Sequence, residues 1–215
     1  MRAPLEPPGS RPAGVPDGNI NWEVWTDPEG RGARGTMLKR EVEPGNYHRL
    51  LYPRQVVLVS FLDPRLGRPN IIPISWSIPL SFKPPQVGIA VEPRWHSYTA
   101  IREAGEFVVN VPAEGLLQKA LLCGRSSGAS VDKFAEASLT AKDAKRVKAP
   151  IIEECIAHME CLYRGEFRSG DHALLVGEVV EAYADGSKFD GSSYLPGRAR
   201  LLFQLGADEF LGVPP

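Results

Sequence analysis

Gln55-Val56-Val57-Leu58-Val59-Ser60-Phe61-Leu62, closed by Asp63-Pro64-Arg65-Leu66-Gly67-Arg68-Pro69 and followed by residues 70–77, is the stretch on which the fold turns. A β-branched, apolar run that is too short for a globular helix and ends at Asp-Pro predicts a strand. The Asp/Pro/Gly-rich link and the second run then predict a hairpin with a long loop. Pro73 and Pro79 place that second strand at an edge, or turn its amides away from a ladder, because proline cannot donate to one. Working outward, residues 86–91, bounded by Pro84-Pro85 and Pro93, predict a third strand, and residues 106–111 a fourth. Residues 156–167 and 173–184 predict two long strands across a turn-like link at 168–172, and 201–205 and 210–213 close the chain. Residues 96–104 predict a short amphipathic helix with Gly105 as its C-cap, since Tyr98 and Ile101 are three apart. Leu116, Leu117, Ala120 and Leu121 predict a helix over 113–122, and residues 132–137 predict one or two further helical turns. The sum is a strand-dominated domain with small helices at its corners, and a closed or nearly closed barrel is the natural way to protect so many edges.

Composition agrees. The chain has 215 residues, 43% of them hydrophobic, with a net charge of -1, which fits one globular domain rather than a disordered chain. Such a balance offers no clustered basic footprint for nucleic acid. Twenty-one glycines and 20 prolines mark a turn-rich chain. They are densest in residues 1–36, which read as a leader or upstream extension ahead of a start near Met37, or as an arm in which Trp22 and Trp25 dock on a partner subunit. Residues 37–215 form the expected domain. No apolar run nears the roughly 20 residues of a bilayer span. Three cysteines without a secretory leader read as reduced thiols in a cytoplasm.

Four segments carry candidate chemistry. In the first, Arg94, His96, Ser97 and Thr99 surround the predicted start of a helix, where unpaired amides and the positive dipole end suit a phosphate monoester. In the second, Ser75, Trp76, Ser77 and Ser81 lie on the proline-interrupted strand, whose unladdered backbone can meet a planar heterocycle. The third runs from Cys123-Gly124 through Ser126, Ser127 and Gly128 to Lys133 and Phe134, a loop whose glycines allow close backbone approach. The fourth, Asp171-His172, places a possible proton donor at a strand start. For each, a plain structural role is the competing reading: a serine cap, an irregular edge strand, a C-cap loop or an Asp-His turn. Cys155, His158 and Cys161 are set aside as a metal set, because strand alternation puts the cysteines on one face and the histidine on the other, and no fourth ligand stands at zinc-like spacing.

In this order the segments resemble the flavin reductase-like, FMN-binding split-barrel family, most closely its flavoredoxin-type branch. The matching stretches are residues 51–59, 81–85 and 105–112, the loop from Cys123-Gly124 to Asp132-Lys133-Phe134, and Gly170-Asp171-His172 with Gly177-Glu178-Val179. The resemblance implies a mainly β, six-stranded Greek-key split barrel with short helices, forming a homodimer with one FMN per subunit near the interface. It also implies roles for the segments. Ser75, Trp76, Ser77 and neighbouring Ser81 would meet the flavin ring; Arg94, Ser97 and Thr99, with His96 beside them, would hold the phosphate. Lys133 and Phe134, beside Ser126 and Ser127, would line the ring or ribityl side, and His172, with Asp171, would stand near the flavin or the hydride donor. The implied activity passes electrons from NADH or NADPH through FMN to free flavin, iron or another acceptor. The alternatives are a flavoredoxin-like carrier reduced by a partner protein, and a split barrel that binds another ligand.

Overall fold

The computed structural model describes residues 40–207 and 209–212. The leader or arm at residues 1–36, with Trp22 and Trp25, lies outside them.

The strands are β1 (Arg54–Gln55), β2 (Val57–Asp63), β3 (Arg68–Ile74), β4 (Ser77–Phe82), β5 (Pro85–Val91), β6 (Glu106–Val111), β7 (Ala141–Lys142), β8 (Ile151–Ile152), β9 (Ala157–Ser169), β10 (His172–Ala184), β11 (Leu202–Gly206) and β12 (Glu209–Gly212). The helices are α1 (His96–Ala104), α2 (Leu117–Arg125) and α3 (Lys133–Glu136). Seven strands form one antiparallel sheet in the order β3-β2-β6-β9-β10-β5-β4.

The two ends of that order, β3 and β4, are consecutive in the chain and separated by Ser75 and Trp76 alone. A flat sheet of seven strands would hold its edges about 29 Å apart, whereas the link from Ile74 to Ser77 spans at most about 11 Å. The sheet therefore curls until its edges meet. Counted as one bent strand, β3 and β4 make the seven strands a six-stranded barrel. Strands β2, β3/β4 and β5 follow one another through hairpin-like turns, and β6 returns by way of α1 to lie beside β2, which is a Greek key. The two prolines accordingly fall on the two edge strands of the ladder, Pro73 in β3 and Pro79 in β4, with a register irregularity after Pro79. The sequence reading ended that strand at Ser77; the chain instead steps across the seam and continues as β4.

β2 is buried on both faces, which explains its unbroken apolar run. Val57, Val59 and Phe61 join Ile89, Phe107, Val109 and Leu175 in the main core cluster, while Val56 and Leu58 pack with Leu116, Ala120, Cys123 and Phe134 in the cluster under α2 and α3. The predicted helix over 113–122 starts later and ends later. Ala113 and Glu114 are taken by a bridge to Leu201 and a bond to the Arg200 carbonyl, a 3-10 turn follows, and α2 runs on to Arg125. α1 matches its predicted bounds, and Gly105 ends it in the left-handed conformation at φ 72°. Cys155 lies ahead of β9 in the α2/α3 cluster, whereas Cys161 lies in the main cluster, so the two do not share a strand face as alternation suggested.

Two carboxylates, one buried and one half-buried, hold the irregular segment between β7 and β8. Glu160, fully buried on β9, accepts from the amides of Lys145 (2.8 Å), Arg146 (2.6 Å) and Val147 (3.2 Å) and from the Tyr183 hydroxyl (3.0 Å). Glu106 accepts from the next two amides, Lys148 and Ala149. Burial pushes the Glu160 carboxyl up, but these donors outweigh it and leave it below the usual 4.5. Its stabilising contribution is therefore complete above about 4.5 and is lost as pH falls through the lower, folded value. Glu160→Gln should lower the unfolding free energy by about 2 kcal/mol at neutral pH. The difference from the parent in urea melts should shrink as the pH is taken below that range.

Candidate active site

The seam carries the site. Hollows follow it from one end to the other, and each is lined by at least one residue of β3, of the two-residue link or of β4.

At the β3 end lies a hollow of about 280 Å³ that brings together Arg94, His96, Ser97, Ser126, Ser127 and Lys133 with Pro73, Trp95, Cys123, Gly124 and Gly128. Six residues singled out from two separate segments thus face one space. Trp95 is the N-cap of α1 and supplies no side-chain cap, so the first-turn amides of His96 and Ser97 keep no intrahelical acceptor. Lys133 is 4% exposed, and its Nζ donates to the Ile71 carbonyl at 2.8 Å. Burial pulls its ammonium down to about 8, and no carboxylate among the described residues pairs with it. Burial also pushes the neighbouring Cys123 thiol up to about 11, which keeps it neutral. Arg94 is 78% exposed and ion-paired to Glu92 at 2.6 Å. The buried cation of the site is thus Lys133, and Arg94 stands at the rim.

The loop fits tightly. A Cβ on Gly128 would lie 2.0 Å from Asn70 Nδ2, and one on Gly124 would lie 3.2 Å from Pro73 Cγ. Asn70 is buried; its Oδ1 accepts from the Ile71 amide, while Nδ2 has no partner among the described residues. A desolvated, uncompensated lysine, open helix amides and a glycine-tight backbone together fit an anion such as a phosphate monoester.

Beyond Pro73 a second hollow of about 280 Å³ is lined by Ile74, Ser75, Gly124, Arg125 and Phe210. Ser75, Ser77 and Ser81 line a third, of about 450 Å³, whose walls include Val57, Val87, Val109, Val111 and Met159. Ser75 belongs to neither neighbouring ladder, while the Trp76 carbonyl accepts from the Ala90 amide at 2.9 Å. The other face of the link carries aromatic rings. Trp76 lies 4.9 Å from the His172 ring at 31°, and 5.7 Å from His48. His172 also meets the edge of Trp95 at 6.2 Å, and its Nδ1 is 2.6 Å from Asp171 Oδ1. Trp76, Asp171 and His172 line a hollow of about 540 Å³ with Tyr47 and His48.

Two candidates fall outside. Phe134 is packed among Val56, Leu58, Ile71 and Leu116, so it supports α3 rather than lining the hollow. Thr99 stands further along α1 and is not among the lining residues. Asp63 and His48 escaped the sequence reading as site residues. Asp63 Oδ2 lies 2.5 Å from His96 Nε2, although the two are 33 positions apart. Its Asp-Pro signature announced a turn, which it also caps through the amides of Arg65 and Leu66. Cys155, His158 and Cys161 are buried, and no cluster among the described residues has the make-up of a metal site.

Because Lys133 binds its proton less well folded than unfolded, its burial penalty applies in full below about 8 and is relieved as pH rises toward its ordinary 10.5. The unfolding free energy of the ligand-free protein should therefore gain on the order of 3 kcal/mol from this residue over that interval. Lys133→Met should remove the gain in denaturant titrations at each pH.

Comparison with known proteins adds a family to this geometry. The family described as "Flavin reductase like domain" matches residues 48–204. An uncharacterised protein of Archaeoglobus fulgidus is 39% identical over 142 residues, covering 63% of this chain and 78% of that one. A flavin reductase of Pseudomonas putida is 27% identical over 147 residues, covering 67% and 82%. The FMN-binding protein from Thermus thermophilus, solved with 1-cyclohex-2-enone bound, superposes with a TM-score of 0.69 at 25% identity, covering 83% of this chain and 96% of that one. No helix among the described residues is long and apolar enough to cross a membrane.

Proposed function

The chain belongs to the flavin reductase-like family, and from that premise we propose that it binds FMN along the barrel seam and passes electrons from NADH or NADPH to an acceptor such as free flavin or iron. The observation that carries the reading is the hollow at the β3 end, where the buried Lys133, with no carboxylate partner among the described residues, meets the first-turn amides of α1. Such a site favours a dianion and is adjoined by an apolar space along the same strand.

Lys133, Ser97, His96 and the Ser126-Ser127 loop would hold the phosphate, with Arg94 at the rim. Ser75, Trp76 and Ser77 would offer backbone groups to the ring, and Ser81 stands further along β4. When bound, FMN supplies the hydride-accepting and electron-donating chemistry. The chain's own work is to orient and desolvate. Trp76 is anchored through Nε1 to the Tyr52 hydroxyl at 3.3 Å and packs against His172. Asp171 takes Nδ1 of His172 and leaves Nε2 to exchange a proton with whatever enters the adjoining hollow. That hollow opens to solvent beside His48 and Tyr47, as access by a separate reductant and acceptor requires.

A second copy is the fitting partner for the outer face of the seam. Phe82 is 95% exposed, and Ile78, Leu80, Leu50 and Leu51 are exposed with it. A homodimer would cover these apolar side chains, and the family resemblance points the same way.

Titration with FMN should quench the tryptophan fluorescence and yield a yellow protein. Lys133→Gln should weaken binding by about tenfold or more, and Arg94→Ala by less, because its charge is exposed and already paired. A protein that FMN cannot load would end this reading. Anaerobic mixing with NADH and NADPH then decides the donor: rapid bleaching with either supports a reductase, whereas bleaching by neither supports a carrier reduced by a partner protein. Light scattering should give twice the chain mass, and Phe82→Asp should shift it toward one chain.

A further inference from the structure

Asp63 is fully buried at the end of β2 and is not among the residues that line the anion hollow. One carboxylate oxygen caps the β2–β3 turn through the Arg65 and Leu66 amides; the other lies 2.5 Å from His96 Nε2. Burial pushes this carboxyl up, but the His96 contact and the two amides outweigh it and hold it below its ordinary value, as an anion. An anion has no proton to give, so Nε2 of His96 must carry one. His96 itself lines the hollow, and only its Nδ1 is left for a ligand there. In the neutral ring that Nδ1 is a lone pair, which repels a phosphate oxygen. In the imidazolium it is a donor.

We propose that Asp63 is a positioning residue for the anion hollow: it locks Nε2 of His96 and balances the charge of an imidazolium, so that phosphate binding places a proton on Nδ1 and gains a charge-assisted bond. The inference rests on the reading of this hollow as the flavin phosphate site. The other charged and titratable groups around His96 are otherwise engaged or differently placed. Arg65 on the turn pairs with Glu103 of α1, and Arg94 pairs with Glu92. Lys133 on α3 is bound to the Ile71 carbonyl, and Cys123 on α2 stays neutral. Across Trp95, His172 is held by Asp171. Asp63 is thus the carboxylate that touches the hollow's histidine.

Riboflavin, which lacks the phosphate, separates this role from a structural one. At about neutral pH the protein should prefer FMN to riboflavin, and Asp63→Asn and His96→Gln should each cut that preference about tenfold while leaving riboflavin affinity unchanged. The double variant should be no worse than His96→Gln alone, because Asp63 acts through that ring. Nitrogen-15 spectra of labelled histidine should report both His96 nitrogens protonated with FMN bound, and only Nε2 with riboflavin bound. The Asn variant should lose that signature.

An unchanged preference in Asp63→Asn, or a double variant that falls by the full factor again, would overturn the proposal. If Asp63→Asn does not fold, the nitrogen signature and the His96→Gln preference decide alone: both as expected support it, and either one unchanged overturns it. Equal binding of both flavins would sink the phosphate assignment but leave a flavin site standing, whereas binding of neither would remove the flavin reading itself.

Discussion

Two residues join the opposite edges of the main sheet, and most of what this protein is follows from that short tether. Ser75 and Trp76 force β3 and β4 together, so the sheet closes into a barrel. Closure pairs or covers edges that would otherwise invite association. It also leaves Ser75 outside both ladders, with the Trp76 carbonyl bonded to the Ala90 amide and a proline on either side of the joint. Backbone such as that of Ser75, excused from pairing on a rigid barrel, is the kind of surface that can receive a planar ligand. The fold and the candidate site therefore share one cause.

Electrostatics concentrates at the β3 end of this joint. Lys133 has been taken out of water without an anion to balance it, and Asp63 has been taken out of water with one ring to hold. The lysine does not favour the empty fold, because an uncompensated buried charge costs stability, whereas the carboxylate is held by His96 and by the Arg65 and Leu66 amides. The lysine's burial would turn favourable once an anion arrives, which is how a site stores preference for its ligand. Elsewhere the same chemistry serves architecture. Glu160 and Glu106 take five successive amides of the 145–149 segment, giving an irregular stretch the satisfied backbone of regular structure.

Local patterns were legible in the sequence because they have local causes. The apolar run of β2, the Tyr98–Ile101 spacing with Gly105 behind it, and the edge positions of Pro73 and Pro79 each state their own constraint. β4 was not legible: hydroxyls, a proline and exposed apolar side chains obscure its alternation, and only closure reveals that it continues β3. The site split in the same way. Arg94, His96 and Ser97 were readable as a helix start, and Lys133 as a loop cation, yet nothing in the spacing says that they face one hollow. The family resemblance implied a place for Phe134 at the ligand wall, but α3 turns it into the core. The Asp63 contact with His96 depends on where α1 lies over the β2–β3 turn, which is a property of packing and has no local signal.

Connections are usually where a chain tolerates change in length, since added loop residues cost little entropy and run over the surface. The joint at Ser75-Trp76 inverts that rule. An inserted residue there would slacken the closure and, because side chains alternate, turn the following strand's inward residues outward. Drift in length is thus forbidden at the place where ligand contact is expected. Variation in specificity has to come from substitutions at fixed spacing, or from the freer segments around Tyr47 and Ser127 that approach the joint from outside.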